Sequence, residues 1–312
     1  MKKIKDFEEK DRLSQPLMVK EVRNGTTNKG APYLTIIFQD NSGTIDGKYW
    51  DVKPEQRDLV IPGHVLLVNF EVLLYNKNLQ LRINKLTEID ESELDMNEFV
   101  IASNQSERVR REKTNTLVSL IQNPVLRQLT EAMLQLTGEK YYTYPAASRI
   151  HHGYLGGLSE HSLSMAEMCV AVCEHYPFLN RDLLVSAALV HDIGKTLEMS
   201  GPVTTEYTLA GRMEGHISIA NGWLTKVAGE LGLEENEETI MLHHMILSHH
   251  GHYEFGSPVL PMLIEAEVLS MIDNLDARVN AIKSALDITR PGEWTQKMFS
   301  IDNRQFYRPK GA

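Results

Sequence analysis

The sequence predicts a chain of two classes, a small all-β barrel followed by an all-α bundle. Three observations carry this. Short β-branched and aromatic segments broken by turn signals run to about residue 89. After an acidic stretch at 88–98, apolar residues recur at three- and four-residue spacing to about residue 290. The chain has 312 residues, enough for two domains of ordinary size.

The first part contains five candidate strands: PLMVKEVRNG, PYLTIIFQD, GTIDGKYW, HVLLVNFEVLLY and LQLRINKL. Between them lie NGTTNKG, DNSG, PEQRDLVIPG and NKN, rich in Gly, Pro, Asn and Asp. Five strands at this density suit a small barrel, with the OB-fold the leading candidate. Tyr33, Phe38, Tyr49, Trp50, Phe70 and Tyr75 are available for its core or its outer face. Successive strand residues point to opposite faces, so Tyr49 and Trp50 must divide between them. The one left outside offers a ring on which a nucleobase can stack.

The stretch EIDESELDMNE is acidic, lacks core residues and reads as a linker. Beyond it, NTLVSLIQNPVLRQLTEAMLQL, EHSLSMAEMCVAVCEHY, RDLLVSAALVHDIG, GHISIANGWLTKVAGEL, EETIMLHHMILSHH and LIEAEVLSMIDNLDARVNAIKSAL each have a helical apolar face. In LLVSAALVHDIGK, the residues Leu183, Leu184, Ala187, Ala188 and Val190 are core-facing, Gly194 stops the helix, and His191 and Asp192 close it. The tail after about Pro291 is less regular.

Hydrophobic content of 42% and charged content of 24% are those of a soluble globular protein. No run approaches a membrane span, and MKKIKDFEEKDRL lacks the apolar segment of a secretory signal. Cys169 and Cys173, four residues apart on one helix, read as reduced core thiols of a cytoplasmic protein. The net charge of −10 argues against non-specific binding of nucleic acid by the whole surface. It is unevenly spread, with residues 1–90 near +1 and the remainder near −11. The acidic part needs metal cations to bring a phosphate close.

Of 12 histidines, 11 lie between positions 151 and 252, a clustering that packing does not explain. His161 lies near a helix start, His191 and Asp192 at a helix end, His216 in EGHISIA, and His249 and His250 in SHHG. Asp273 sits inside a strongly apolar helical stretch, where an unpaired carboxylate is costly; Asp276, one turn on, is the second choice. Adjacent helical residues diverge by about 100°, so neighbouring histidines share a site only where a helix ends. Imidazole and carboxylate donors without thiolate suit manganese, iron, cobalt or nickel, and magnesium less well. His175, His243, His244 and His252 read as solvated or hydrogen-bonded.

The order His161, His191–Asp192, Asp273 resembles the HD-domain metal phosphohydrolases. The further His216, His249 and His250 resemble the two-metal subset of that superfamily. HHGYLGGLSEHSL with VHDIGK, joined to an N-terminal OB-fold, is similar to the YhaM-type 3′-to-5′ exoribonucleases of Gram-positive bacteria. The resemblance implies an OB-fold single-strand-binding domain at 1–90, an acidic linker and helix start at 91–110, and an all-α HD-domain bundle at 111–312. It implies that His161, His191, Asp192 and Asp273 hold one divalent cation. Asp192, His216, His249 and His250 hold a second, with Asp192 bridging. Manganese is the first expectation, with cobalt, iron or magnesium as alternatives. Asp192 and Lys195 are then the catalytic residues, Lys195 steadying a phosphate oxygen or the departing group. Tyr144, Arg149, His151 and His152, just upstream of the first ligand, are expected to contact substrate, as are Tyr49 and Trp50 on the barrel.

Two cations roughly 3.5–4 Å apart can bind the oxygens of an anionic phosphodiester, generate hydroxide and stabilise both attacking and leaving oxygens. The expected activity is hydrolysis of single-stranded RNA, with single-stranded DNA a further candidate, to nucleoside 5′-monophosphates in RNA turnover. A homo-oligomer is permitted and no membrane association is expected. Three rivals remain at this point. A nucleotidase or dNTP phosphohydrolase has no need of a strand-holding barrel. A cyclic-dinucleotide phosphodiesterase shares the metal set, but its GYP-type segment is not seen here. A non-catalytic strand-binding adaptor has no need of seven metal ligands.

Overall fold

Strand β1, Arg12–Thr26, is long enough to pair on both sides. Its first half, Arg12–Met18, runs antiparallel to β4 (Val65–Tyr75), and its second half runs antiparallel to β2 (Pro32–Asp40). A register shift between Val19 and Glu21 bends the strand between the two partners. β2 turns into β3 (Gly43–Trp50), and β4 into β5 (Asn78–Glu88). β3 and β5 then pair in parallel from Gly47–Leu81 to Tyr49–Ile83, closing a barrel in the order β1-β2-β3-β5-β4. In this computed structural model, residues 1–27, 30–76, 78–147, 154–201 and 205–311 are described.

All five expected strands form. Alternation buries Leu17, Val19, Leu34, Ile36, Phe38, Val68, Phe70 and Leu81 in an OB-like core. The segment between β3 and β4, read as a turn, also holds a short helix, α1 (Pro54–Asp58), started by its proline. Tyr49 is 5% exposed and Trp50 46%, so the alternation puts tryptophan outside.

The structure divides at Ala102–Ser103, inside the 91–110 segment expected to join the two domains. The acidic stretch after residue 90 is tied back to the barrel. The Glu91 carboxylate accepts from the Val65 amide at 2.7 Å, the Asn41 amide donates to the Glu98 carbonyl at 2.9 Å, and the Gln39 side chain donates to the Phe99 carbonyl at 3.1 Å. Phe99 and Val100, just past the acidic window, are buried.

The second unit is built from helices: α2 (Glu107–Leu120), α3 (Pro124–Thr137), α4 (Glu139–Thr143), α5 (Gly157–His175), α6 (Arg181–Val190), α7 (Lys195–Glu198), α8 (Leu209–Leu231), α9 (Glu237–Ser248) and α10 (Ile264–Asp287). Ser106, Asn123, Asn180 and Thr208 cap α2, α3, α6 and α8, accepting from the first-turn amides. Every residue from Leu183 to Val190 is buried, so α6 is the central helix, packed on α3, α5, α9 and α10. Cys169 and Cys173 are buried and unbonded to each other. After α10, Trp294 bridges Tyr307 and Met298 bridges Arg304, making an irregular hairpin around the turn Phe299–Ile301. Among the described residues no helix is long and apolar enough to cross a membrane.

One buried cation positions the start of α5. Arg110, on α2, donates to Ser159 Oγ at 2.9 Å, to the Tyr142 carbonyl at 2.9 Å and to the Gln105 carbonyl. Replacing Arg110 with Met leaves three acceptors without a donor. We expect Arg110→Met to lower stability in urea melts by about 3 kcal/mol, whereas a change at the exposed Arg108 moves it by about 0.5 kcal/mol or less.

Candidate metal centre

The ligand-type residues gather where helices end. His191 is the residue after α6 and Asp192 follows it. His249 and His250 follow α9, so the divergence of neighbouring side chains along a helix no longer separates them. His216 follows a break in α8 at Gly215, whose φ of 72° is a left-handed conformation open to glycine. Gly194 lets this break approach the turn after α6: a Cβ there would lie 2.1 Å from the His216 carbonyl oxygen. His161 and Asp273 project from the bodies of α5 and α10.

Three groups converge so that their donor atoms lie within 4.8 Å of one another: His161, His191 and Asp273; His191, Asp192 and His249; and His216, His249 and His250. Asp192 lies between them. Its Oδ2 is 3.3 Å from His191 Nε2 and 3.9 Å from His161 Nε2. Its Oδ1 is 3.4 Å from His216 Nε2 and 3.7 Å from His249 Nε2. Asp273 Oδ1 is 3.2 Å from His161 Nε2.

Each of the five imidazoles is held by an acceptor at Nδ1. The partners are Asp276 for His161 (2.7 Å), the Ala188 carbonyl for His191 (3.0 Å), Glu198 for His216 (3.0 Å), the Ile246 carbonyl for His249 (2.7 Å) and the Phe255 carbonyl for His250 (2.6 Å). A proton fixed at Nδ1 leaves Nε2 to act as donor to a metal. Glu198 also accepts from the His216 amide at 3.1 Å, bracing the backbone at the break. The sequence pattern does not single out Glu198, and it offers Asp276 only as the second choice to Asp273. Asp276 sits one helical turn past Asp273, which is the one signal for it.

The electrostatics match a cation site. Burial disfavours charge on Asp192, but Lys195 and the neighbouring imidazoles outweigh it and hold the carboxyl well below its usual range. Burial likewise opposes Asp273, yet His161 keeps it ionised. Burial drives His249 and His250 down, towards the neutral ligand form. His161 is opposed by burial but raised to about 9 by the carboxylates Asp273 and Asp276 beside it. Lys195 Nζ is 2.5 Å from Asp192 Oδ2.

Whether these residues fit a metal is answered by their orphaned atoms. His191 Nε2, His216 Nε2, His249 Nε2 and Asp192 Oδ1 are buried and have no hydrogen-bond partner. Buried polar atoms are rarely left so, and four converging ones have the chemistry to receive a cation.

The expected site residues thus fall into groups. His161, His191, Asp192, Lys195, His216, His249, His250 and Asp273 come together. Tyr144 does not join them; it is 8% exposed and packs in the helical core. Arg149, His151 and His152 lie outside the described residues. Tyr49 is a core residue of the barrel, so its ring face is taken by packing. Trp50 stays available: its ring centroid is 4.9 Å from that of Tyr33 across β2 and β3. The Tyr33 ring lies over Gly25, where any Cβ would overlap it, and Lys48 Nζ stands 4.9 Å from the same ring. Elsewhere, His243 bonds Asn221 at 2.6 Å, and His244 Nε2 accepts from the Met262 amide at 2.8 Å.

The model of the HD domain matches residues 158–278, a span that includes all seven ligand-type residues. A 3′-5′ exoribonuclease YhaM of Geobacillus sp. (strain WCH70) is 39% identical over 309 residues, 99% of this chain and 95% of that protein. Among solved structures, the second OB-fold domain of replication protein A from Methanococcus maripaludis aligns at 17% identity, covering 30% of this chain and 97% of that one, with a TM-score of 0.24. The HD domain of the phosphodiesterase PgpH from L. monocytogenes aligns at 18% identity, covering 53% of this chain and 80% of that one, with a TM-score of 0.31. With its barrel, its HD domain and identity sustained along almost its full length, the chain belongs to the YhaM family of 3′-5′ exoribonucleases.

Proposed function

We propose that the protein hydrolyses single-stranded RNA from its 3′ end, releasing nucleoside 5′-monophosphates, at a centre of two divalent cations in an all-α HD domain. The observation that carries the reading is the convergence of five Nδ1-anchored imidazoles and two ionised carboxylates on one point. His161, His191, Asp192 and Asp273 would hold one cation; Asp192, His216, His249 and His250 would hold the other. Manganese is the first candidate on the family resemblance, and the mixed imidazole and carboxylate donors leave iron, cobalt or magnesium as alternatives. When bound, such a pair withdraws charge from the phosphodiester and lowers the pKa of water.

The chain's own residues supply the rest. Asp192 turns one oxygen to each half of the site, so it sets the spacing of the two halves. Asp276 and Glu198 keep His161 and His216 from rotating. Lys195, at the cavity wall beside Asp192, is placed to meet the developing negative charge of the phosphate or of the departing oxygen. On the barrel, the Tyr33–Trp50 pair with Lys48 combines stacking surface and positive charge, the two needs of a single strand. A mononucleotide would use neither, so RNA oligomers should turn over in preference to free nucleotides.

Four outcomes test this. With 5′-labelled and 3′-labelled oligonucleotides in Mn²⁺, the wild type should release labelled monophosphate from the 3′ end at once, and chelator should stop it. Asp192→Ala should lower turnover on the order of a thousand-fold or more while strand binding by gel shift persists; retained turnover sinks the assignment. Manganese at a hundred times its Kd should stabilise the wild type by about 2.7 kcal/mol in thermal melts and leave Asp192→Ala unmoved. Trp50→Ala should weaken strand binding by about 1–3 kcal/mol, read by fluorescence anisotropy, with little effect on cleavage of a dinucleotide.

A further inference from the structure

The donor cluster opens on one side into a cavity of about 400 Å³ within the helical unit. His161, Lys195, His250 and Asp273 form the wall nearest the proposed cations. The opposite walls have a different chemistry. α10 contributes Ser270, Asn274, Ala277, Arg278 and Ala281, a single helical face continuing from Asp273. The hairpin after α10 contributes Ser300 and Ile301, and the loop after α9 contributes Phe255. Ala277 and Ala281 keep this face of the helix low. Ile301, 1% exposed, anchors the hairpin turn.

Arg278 lies five residues past Asp273, about 7.5 Å further along the helix axis. Its guanidinium is 3.4 Å from Asp302, a carboxylate that is 76% exposed and also within 3.8 Å of Arg304. That contact orients the guanidinium without burying or neutralising it. Apart from its histidines, the described cations of the cavity are Lys195 and Arg278. A groove for upstream strand would need cations along its length. A cavity of this size, whose outer walls set Phe255, Ala277, Ala281 and Ile301 beside Ser270, Asn274, Arg278 and Ser300, suits one small molecule instead.

We propose that this cavity is the subsite for the 3′-terminal nucleoside, and that Arg278 and Asn274 determine its specificity. The guanidinium plane of Arg278 stacks on the terminal base, and the Asn274 amide hydrogen-bonds the terminal sugar. The inference rests on the exoribonuclease reading above. Because the subsite reads the base by stacking, it accepts all four nucleosides but not an end that lacks a base.

The test uses two 5′-labelled RNA oligomers that differ only in the last residue, an ordinary ribonucleotide or an abasic ribose. In Mn²⁺ the wild type should cleave the ordinary end with kcat/KM about tenfold or more above the abasic end. Arg278→Met should lose about tenfold on the ordinary end, mainly through KM, and under twofold on the abasic end. Arg278→Lys, which keeps the charge but not the plane, should behave like Arg278→Met. Asn274→Ala should narrow the preference for a terminal ribose over a 2′-deoxyribose. Equal wild-type rates on both ends overturn the inference, as does an Arg278→Met loss shared equally by them or full rescue by lysine. If Arg278→Met no longer melts with the wild-type Mn²⁺ shift, the wild-type comparison and Asn274→Ala decide. A wild type that cleaves neither end in Mn²⁺ defeats the exoribonuclease reading itself, a separate and recognisable failure.

Discussion

Five imidazoles can serve one site only if each turns the same nitrogen inward, unprotonated. A histidine whose ring is free to flip, or free to move its proton between nitrogens, is not a dependable donor. Here the constraint is met by an acceptor at every Nδ1. The arrangement is costly for the fold alone, because it leaves buried Nε2 and Oδ1 atoms unsatisfied. Something outside the site must therefore hold the rings in place. That support is α6, buried along most of its length, and the helices packed around it.

The positions of the ligands follow from the same constraint. The body of a helix can send only one of two adjacent side chains into a site. His191–Asp192 and His249–His250 escape this because α6 and α9 stop immediately before them. Stopping there also frees carbonyls one turn back, those of Ala188 and Ile246, and these carbonyls are what anchor His191 and His249. A helix end thus supplies a candidate ligand and the acceptor that orients it in one stroke. His216 obtains a comparable freedom from the break at Gly215, with Glu198 in place of a carbonyl.

Much of this was legible in the sequence, for reasons that also mark where legibility stops. Strand alternation and helical spacing are one-dimensional signals, so the five strands and the main helices could be read directly. The histidine cluster is too dense to be packing, and five of its members, His161, His191, His216, His249 and His250, converge. The partners of those histidines were less visible. Asp276 was secondary and Glu198 was not read at all, because an acceptor for Nδ1 is recognised only when the ring's direction is known. Parity told that Tyr49 and Trp50 must divide, but not which faced out; the pairing of Trp50 with Tyr33 decides it. Tyr144 has the composition of a surface contact and the environment of a core residue. The acidic segment after residue 90 reads as a linker because composition describes side chains; that its carbonyls and one carboxylate tie it to the barrel is visible only in three dimensions.

The choice of acceptors also answers how an acidic helical unit can receive a polyanion. Two imidazoles are oriented by carboxylates, Asp276 and Glu198, and three by backbone carbonyls. With the two proposed cations, the ligands Asp192 and Asp273, those two outer carboxylates and Lys195 leave the immediate site net positive. Had carboxylates oriented all five rings, the same site would be net negative and would repel a phosphodiester. Carbonyl acceptors fix the ring without adding charge, so helix ends are favoured for a second reason beyond geometry. The two carboxylates that are present stand behind His161 and His216, one on each side of Asp192, so neither half of the site carries the whole penalty. Orientation and charge are therefore one problem here, and the backbone solves most of it.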